Sequence, residues 1–415
     1  AKDRASALQQ LARLMHQNID DLAIIMTLEQ GKPLAEARGE IQYAAGFVEW
    51  FAEECKRLYG DTIPSPWTDK RLMALRQPIG VVAAITPWNF PSAMVTRKAI
   101  PAIAAGCTVI LKPAEQTPFS ALALGVLAER AGLPPGVLNI VTGSAPMIGK
   151  ILCDSPNVRK LTFTGSTEVG RILMAQCAPT IKKMGLELGG NAPFIVLDDA
   201  DIDAAVEGAM VSKYRNSGQT CVCANRFLVQ RGVYDQFVEK FAAASKILVV
   251  GEGFDPRAQQ GPLIDQDAIT KIEELVSDAV QNGAKVLLGG SRQSPDSLFY
   301  NPTVLSNVTT SMRIVHEEVF GPVAPIVCFN TDEECIELAN SSEYGLAAYF
   351  YGQNLGRVWR MLEALEFGIV GVNSGVVSTE VAPFGGVKQS GVGREGGSEG
   401  LREFTELKYV CIGGL

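Results

Sequence analysis

The sequence predicts an α/β protein with doubly wound, Rossmann-like architecture, and three observations carry that expectation. From residue 79 onward short β-rich runs alternate with helical segments, the pattern of parallel strands joined by crossover helices. The chain has 415 residues, too many for one hydrophobic core, so two or three domains are expected. Its 47% apolar and 20% charged residues are the balance of a globular chain, which excludes disordered and fibrous classes.

Residues 1–58 read as helix. Leu8, Leu11, Leu14 and Met15, then Leu22, Ile25 and Leu28, recur at helical spacing, Gly31-Lys32-Pro33 breaks the run, and Ala44, Phe47, Val48 and Phe51 mark a second helix. The stretch 60–78 turns proline-rich and then runs through Arg71-Leu72-Met73-Ala74-Leu75-Arg76, an arm or hairpin suited to pairing with another subunit. Strands are expected at 79–86, 108–111, 137–141 and 160–164, separated by helices at about 92–105, 117–131, 145–153 and 168–178. A strand at 194–197 and a helix over about 201–216 lead into a polar loop, Asn216 to Thr220, that ends on Cys221. A second α/β set follows, with strands near 226–230, 284–288, 324–329, 346–351 and 368–372, and the tail at 404–414 reads as one more strand.

The net charge of −8 and the absence of a basic block argue against a nucleic-acid or anionic-membrane partner. No apolar run reaches membrane-spanning length and no signal peptide opens the chain. The first residues lack an initiator Met and already read as helix, so an amino-terminal piece is expected to be absent, together with any targeting information it held. Nine cysteines without regular spacing fit reduced thiols in a cytoplasmic compartment, with organelle targeting left open. Cys221 and Cys223 form a C-x-C with no second pair or histidine cluster nearby, so no metal site is expected. With only His16 and His316 in the chain, a catalytic base for a cysteine is expected to be a carboxylate.

Five motifs invite a chemical reading, and each has a plain structural one beside it. Cys221 closes a polar loop, where a cysteine is either an exposed thiol or a nucleophile. Thr86-Pro87-Trp88-Asn89-Phe90-Pro91 follows a strand at the end where α/β sheets bind ligands; the Asn89 amide either stabilises a turn or serves as an oxyanion donor. Lys112-Pro113-Ala114-Glu115 follows the next strand and suits either a nucleotide ribose or a solvated loop pair. Gly165-Ser166-Thr167-Glu168-Val169-Gly170 is a capped strand-to-helix turn whose free amides favour a pyrophosphate, although it is not G-x-G-x-x-G. Glu187-Leu188-Gly189-Gly190 sets a carboxylate beside glycines that permit close backbone approach; its plain reading is a helix-end Glu before a glycine cap.

The order and spacing of these motifs, together with Glu318-Val319-Phe320-Gly321-Pro322, resemble the NAD(P)-dependent aldehyde dehydrogenase superfamily over essentially the whole chain. Within it, Arg97, Tyr214-Arg215-Asn216, Cys221-Val222-Cys223 and Pro383-Phe384-Gly385-Gly386-Val387-Lys388 resemble the succinate-semialdehyde dehydrogenases. The resemblance implies an NAD-binding domain from 1–59 and 79–189, a catalytic domain at 190–390 and a small β oligomerisation arm from 60–78 and 405–414, in a homodimer or homotetramer. It implies Cys221 as nucleophile, Asn89 with the Cys221 N–H as oxyanion donors, and Glu187 as the base that activates water on the thioester. Thr86, Pro87, Trp88, Lys112, Pro113, Ala114, Glu115, the turn Gly165 to Gly170, Leu188, Gly189, Glu318 and Phe320 are the implied cofactor contacts. Arg97 and Arg215, with Ser378 or Thr379, are expected to bind the distal carboxylate of the aldehyde substrate. A carboxylate at Glu115 repels a 2′-phosphate, which favours NAD, with NADP as the alternative. Cys223 is a candidate partner for a reversible disulfide with Cys221. Other expectations kept in view are another acid-semialdehyde such as glutarate semialdehyde, a broad aliphatic aldehyde range, and a non-catalytic binding protein on the same fold.

Overall fold

The computed structural model describes residues 1–415. Its first sheet has six strands, in the order Gly391–Val392, Lys183–Glu187, Val158–Thr164, Val81–Ile85, Thr108–Lys112 and Leu138–Ile140. All run parallel except Gly391–Val392, which pairs antiparallel to Lys183–Glu187. From Val81–Ile85 the chain first builds outward through Thr108–Lys112 and Leu138–Ile140. It then returns to the other side of Val81–Ile85 with Val158–Thr164. That reversal is a topological switch point, and a crevice opens at the carboxyl ends of the strands that flank it. Thr86-Pro87-Trp88-Asn89 leaves one of these strands and Gly165-Ser166 leaves the other.

The helices Lys2–Gln17, Ile19–Gln30 and Leu34–Glu54 share one apolar cluster of 41 buried residues with a face of this sheet, so the opening helices fold with it and not apart from it. The helix Ala93–Ala105 lies buried between them at every position; most of its side chains are small or aliphatic, and its buried Arg97 and Lys98 pair with Glu395. On the opposite face a smaller cluster around Phe163, Leu161 and Leu173 seats the helices Ala145–Asp154 and Thr167–Cys177.

The second sheet has seven strands: Lys285–Leu288, Thr303–Val308, Val323–Phe329, Ala224–Gln230, Ala192–Val196, Ala347–Tyr351 and Ile369–Val372. Only the edge strand Lys285–Leu288 runs antiparallel, and an apolar cluster covers each face. The Cys221 loop immediately precedes Ala224–Gln230, so it lies at that strand's amino end and faces the crevice of the first sheet.

Residues of the expected arm form a separate antiparallel sheet of Asp61–Ile63, Lys70–Pro78 and Thr405–Gly413, in which Leu75 pairs with Lys408 and Gly413 with Lys70. Two of the longer strands were not foreseen. Lys183–Glu187 carries a glycine and charged ends that mask it, and Thr303–Val308 carries polar Ser306 and Asn307, the latter with φ +55°. The run expected at 79–86 starts only at Val81, because Gly80 at φ +119° separates it from Lys70–Pro78. No helix is long and apolar enough to cross a membrane.

Candidate active site

The helix Ile202–Tyr214 stops at Arg215, and the next three residues are left-handed: Asn216 at φ +51°, Ser217 at +54° and Gly218 at +77°. Two consecutive non-glycine residues in that region are strained by about 1 kcal/mol or more each, and the surroundings hold them there. The Asn216 N–H donates to both carboxylate oxygens of Glu36 at 3.1 and 3.2 Å, and the Ser217 hydroxyl donates to Gly261 O at 2.9 Å. Gln219 clamps the far side: its amide donates to Asn216 O and Pro262 O and accepts from Ile264 N at 2.9 Å. A Cβ on Gly218 would lie 2.2 Å from Gly321 O, so only glycine fits.

The turn delivers Cys221, half-buried, into a cavity of about 270 Å³ shared with Asn89, Trp88 and Phe320. Asn89 is fixed through its side-chain amide and its main-chain oxygen. Its Nδ2 donates to Gln219 O at 3.0 Å, its Oδ1 accepts from Phe90 N at 3.0 Å, and its main-chain oxygen accepts from Lys32 Nζ at 2.8 Å and Asn216 Nδ2 at 2.9 Å. Lys32 is in turn paired with Glu40, which caps the helix Ala93–Ala105 through Ser92 N and Ala93 N. The second Nδ2 hydrogen of Asn89 and the main-chain N–H of Cys221, which has no main-chain acceptor, remain for a ligand. Burial pushes the Cys221 thiol up to about 12, against the pull of Arg97, so the resting sulfur is a thiol.

The same cavity is lined by Pro87, Gly165, Ser166, Leu188, Gly189 and Glu318, as the sequence suggests. Ser166 caps its helix by accepting from Val169 N at 3.3 Å. Trp88 and Phe320 meet edge to face, 5.6 Å apart. Glu318 accepts from Gly190 N at 2.9 Å, and burial raises its carboxyl to about 7. Thr86 and Thr164 carry buried hydroxyls without partners beside this crevice. An aromatic slot, a capped helix start, an acceptor carboxylate and unpartnered hydroxyls suit a dinucleotide cofactor.

Other expected contacts do different work. Gly170 lets its helix approach Leu188, since a Cβ there would lie 2.6 Å from that side chain, and Thr167 bonds Gly189 N and Gln389 O; Glu168 and Val169 are exposed. Gly190, expected to admit a ligand, admits the Cys221 carbonyl, which would lie 2.4 Å from a Cβ. Lys112 is buried behind Pro113 and Ala114, 3.7 Å from Glu115, and the Glu115 carboxylate accepts from Ala145 N at 2.8 Å. Glu115 therefore caps a neighbouring helix, which weakens it as the ground for an NAD preference. Lys271 and Ala268, from the helix Gln266–Gln281, also line the cavity; no motif marks them, because that helix reads as an ordinary amphipathic one.

The two arginines separate. Arg97 is buried, donates through Nε and Nη2 to Glu395 at 2.8 Å, and stacks 4.0 Å from the centre of the Phe384 ring. Glu395 thus engages Nε and Nη2, and the Nη1 end of the guanidinium, which has no hydrogen bond to the protein, is what remains for the expected substrate carboxylate. Arg215 has no ion pair; it stands over the Phe90 and Tyr43 rings at 4.8 and 5.9 Å. It lines a small cavity with Ser378, Thr220, Val222 and Tyr349, whereas the Thr379 hydroxyl turns to Glu380 at 3.3 Å. Ser378 is the hydroxyl beside Arg215.

Glu187 does not line the Cys221 cavity. It is buried near Arg394 and Glu395, and its Oε2 has no partner. Burial, and then Glu395, raise its carboxyl well above the usual range. Glu395 is lowered despite its burial, by Lys98 and Arg97, which both bond to it. Cys223 is turned inward, its thiol directed to Lys213 O at 3.4 Å and Ala224 O at 3.5 Å. In this arrangement it packs in the core and does not face Cys221.

Comparisons with known proteins identify the family that this crevice and its cysteine belong to. The aldehyde dehydrogenase family model matches residues 1–410, and the chain belongs to that family. It is 60% identical over 413 residues to the Escherichia coli K12 protein named succinate-semialdehyde dehydrogenase [NADP(+)], covering 100% of this chain and 86% of that one. It is also 60% identical over 415 residues to a glutarate-semialdehyde dehydrogenase of Pseudomonas aeruginosa, covering 100% and 86%. A crystal structure of an aldehyde dehydrogenase from Brucella melitensis biovar abortus 2308 superposes with a TM-score of 0.99 at 62% identity, covering 100% and 85%. The protein is an NAD(P)-dependent aldehyde dehydrogenase.

The left-handed turn makes a direct prediction. Gly218→Ala adds both a clash and a disfavoured φ, so it should destabilise the fold by about 3 kcal/mol and abolish most dehydrogenase activity. Thermal unfolding and NADH or NADPH production measure the two effects; parental values for both would contradict the geometry.

Proposed function

We propose that the protein oxidises succinate semialdehyde to succinate with NAD(P)+, and the observation that carries this reading is the unpaired Arg215 guanidinium beside Ser378. An aldehyde ending in a carboxylate needs a desolvated cation to hold that end, and Arg215 supplies a planar fork backed by two aromatic rings. The names of the relatives, which specify two acid-semialdehydes of different chain length, support this class of substrate.

In this reading the Cys221 thiol gives up its proton to solvent, the thiolate adds to the aldehyde carbon, and the new oxyanion accepts hydrogen bonds from the free Nδ2 hydrogen of Asn89 and from the Cys221 N–H. Because Gln219 O already holds one Asn89 hydrogen, the other is aimed before substrate arrives. Trp88, Phe320, Glu318 and the Ser166 helix start would hold the dinucleotide cofactor, which would supply the hydride acceptor for the oxidation. Glu187 then takes the proton of the water that hydrolyses the thioester, through the carboxylate oxygen that has no other partner. Its elevated proton affinity makes it a stronger base than an exposed glutamate, once deprotonated.

On cofactor choice, both NAD and NADP are taken in this reading. Lys112 is a cation beside Glu115 that can meet a 2′-phosphate, and the relative named for NADP points the same way. The arm is read as an oligomerisation element of a homodimer or homotetramer: Leu75, Leu407, Tyr409 and Ile412 are exposed apolar side chains on it, and one edge of Thr405–Gly413 is unpaired. The free cysteines fit a reducing, cytoplasmic compartment.

Two measurements test the reading. Arg215→Ala should raise KM for succinate semialdehyde at least tenfold more than KM for butanal; an equal rise for both would refute the carboxylate anchor. Glu318 accepts ribose hydroxyls more strongly when ionised, so lowering pH through about 7 should raise the cofactor KM, and Glu318→Gln should flatten that dependence. A cofactor KM independent of pH between 6 and 8 in the parent enzyme would remove Glu318 from this role.

A further inference from the structure

The helix Leu34–Glu54 carries Tyr43, whose ring lies under the Arg215 guanidinium, and its hydroxyl is anomalous. The oxygen is buried and has no hydrogen-bond partner, although the rest of the residue is only partly covered. An unsatisfied buried hydroxyl costs about 1–3 kcal/mol, so such a group is retained where something else completes it. The ring lies edge to face with Phe47 at 5.1 Å, and Arg97 stands 5.7 Å over that same Phe47. On the other side the unpaired Arg215 stands over Tyr43 itself at 5.9 Å and over Phe90 at 4.8 Å. Burial raises the phenol above its ordinary value against the pull of Arg97 and Arg215, so it is a donor at neutral pH. A donor without an acceptor, set between two cations, is a seat for an anionic oxygen. Glu395 engages Nε and Nη2 of Arg97, whereas the Tyr43 hydroxyl has no partner and Arg215 has no ion pair.

We propose that Tyr43 is a specificity-determining residue whose hydroxyl donates a hydrogen bond to the distal carboxylate of the acid-aldehyde, alongside Arg215. This rests on the acid-semialdehyde reading above and adds a second donor to it. A phenol that has no partner in the protein is left unsatisfied by an apolar aldehyde, so Tyr43 discriminates against uncharged substrates as well as for charged ones.

The test is Tyr43→Phe, which keeps the ring and removes only the oxygen, compared with the parent and with Arg215→Ala. The readout is the ratio of kcat/KM for succinate semialdehyde to kcat/KM for butanal. The expected result is a fall of about tenfold in Tyr43→Phe and a larger fall in Arg215→Ala. If Arg215→Ala lowers the ratio and Tyr43→Phe leaves it within twofold, this proposal is overturned while the acid-semialdehyde reading stands. If neither substitution lowers the ratio, both fall together. Loss of fold or of general activity lowers both kinetic constants and leaves the ratio unchanged, which also counts against the proposal.

Discussion

The main-chain oxygen of Asn89 accepts two hydrogen bonds, from Lys32 Nζ and from Asn216 Nδ2, and the geometry of the site depends on that junction. Lys32 belongs to the opening helical region, Asn89 to the crevice of the first sheet and Asn216 to the turn that carries the nucleophile. Asn216 is held in a left-handed conformation that it would not choose alone, and Glu36 holds its N–H from the side of the opening helices. The Asn89 amide and the loop that carries Cys221 are therefore set by one bonded network. Neither can move by much without breaking buried hydrogen bonds that have no water to replace them.

Charge is managed with the same economy of partners. Glu395 lies between Arg97 and Lys98 and stays ionised, and its negative charge is one reason why Glu187 holds its proton so strongly. Cys221 is likewise kept as a thiol by burial. The resting site thus combines a protonated Cys221 thiol, a Glu187 carboxyl of raised proton affinity and an Arg215 guanidinium without an ion pair.

Much of this was legible in the chain, for identifiable reasons. The alternation of strands and helices is dictated by burial on both faces of parallel sheets, and motifs at strand ends such as Pro87-Trp88-Asn89 and Gly165-Ser166 sit where the switch point needs them. Cys221 stood out because a polar loop interrupts apolar text. What was not legible concerns pairing across long separations. Nothing in the neighbourhood of Arg97 announces that Glu395 occupies its fork, and nothing near Glu115 announces that Ala145 N takes its carboxylate. Lys271 and Tyr43 look like ordinary positions on amphipathic helices, and only the packing of those helices against the site gives them a chemical meaning. The strands Lys183–Glu187 and Thr303–Val308 were obscured by polar or glycine residues that tertiary pairing overrides.

The central claim is that Cys221 carries the acyl group and that Glu187 activates the water which releases it. The direct measurement is a rapid-mixing experiment on Glu187→Gln with succinate semialdehyde and cofactor, followed by mass analysis of the quenched enzyme. The account predicts reduced cofactor formed up to one equivalent per site, then a stall, with one succinyl group on the peptide that contains Cys221. Steady turnover at the parental rate, or a burst that leaves no adduct on Cys221, would contradict it.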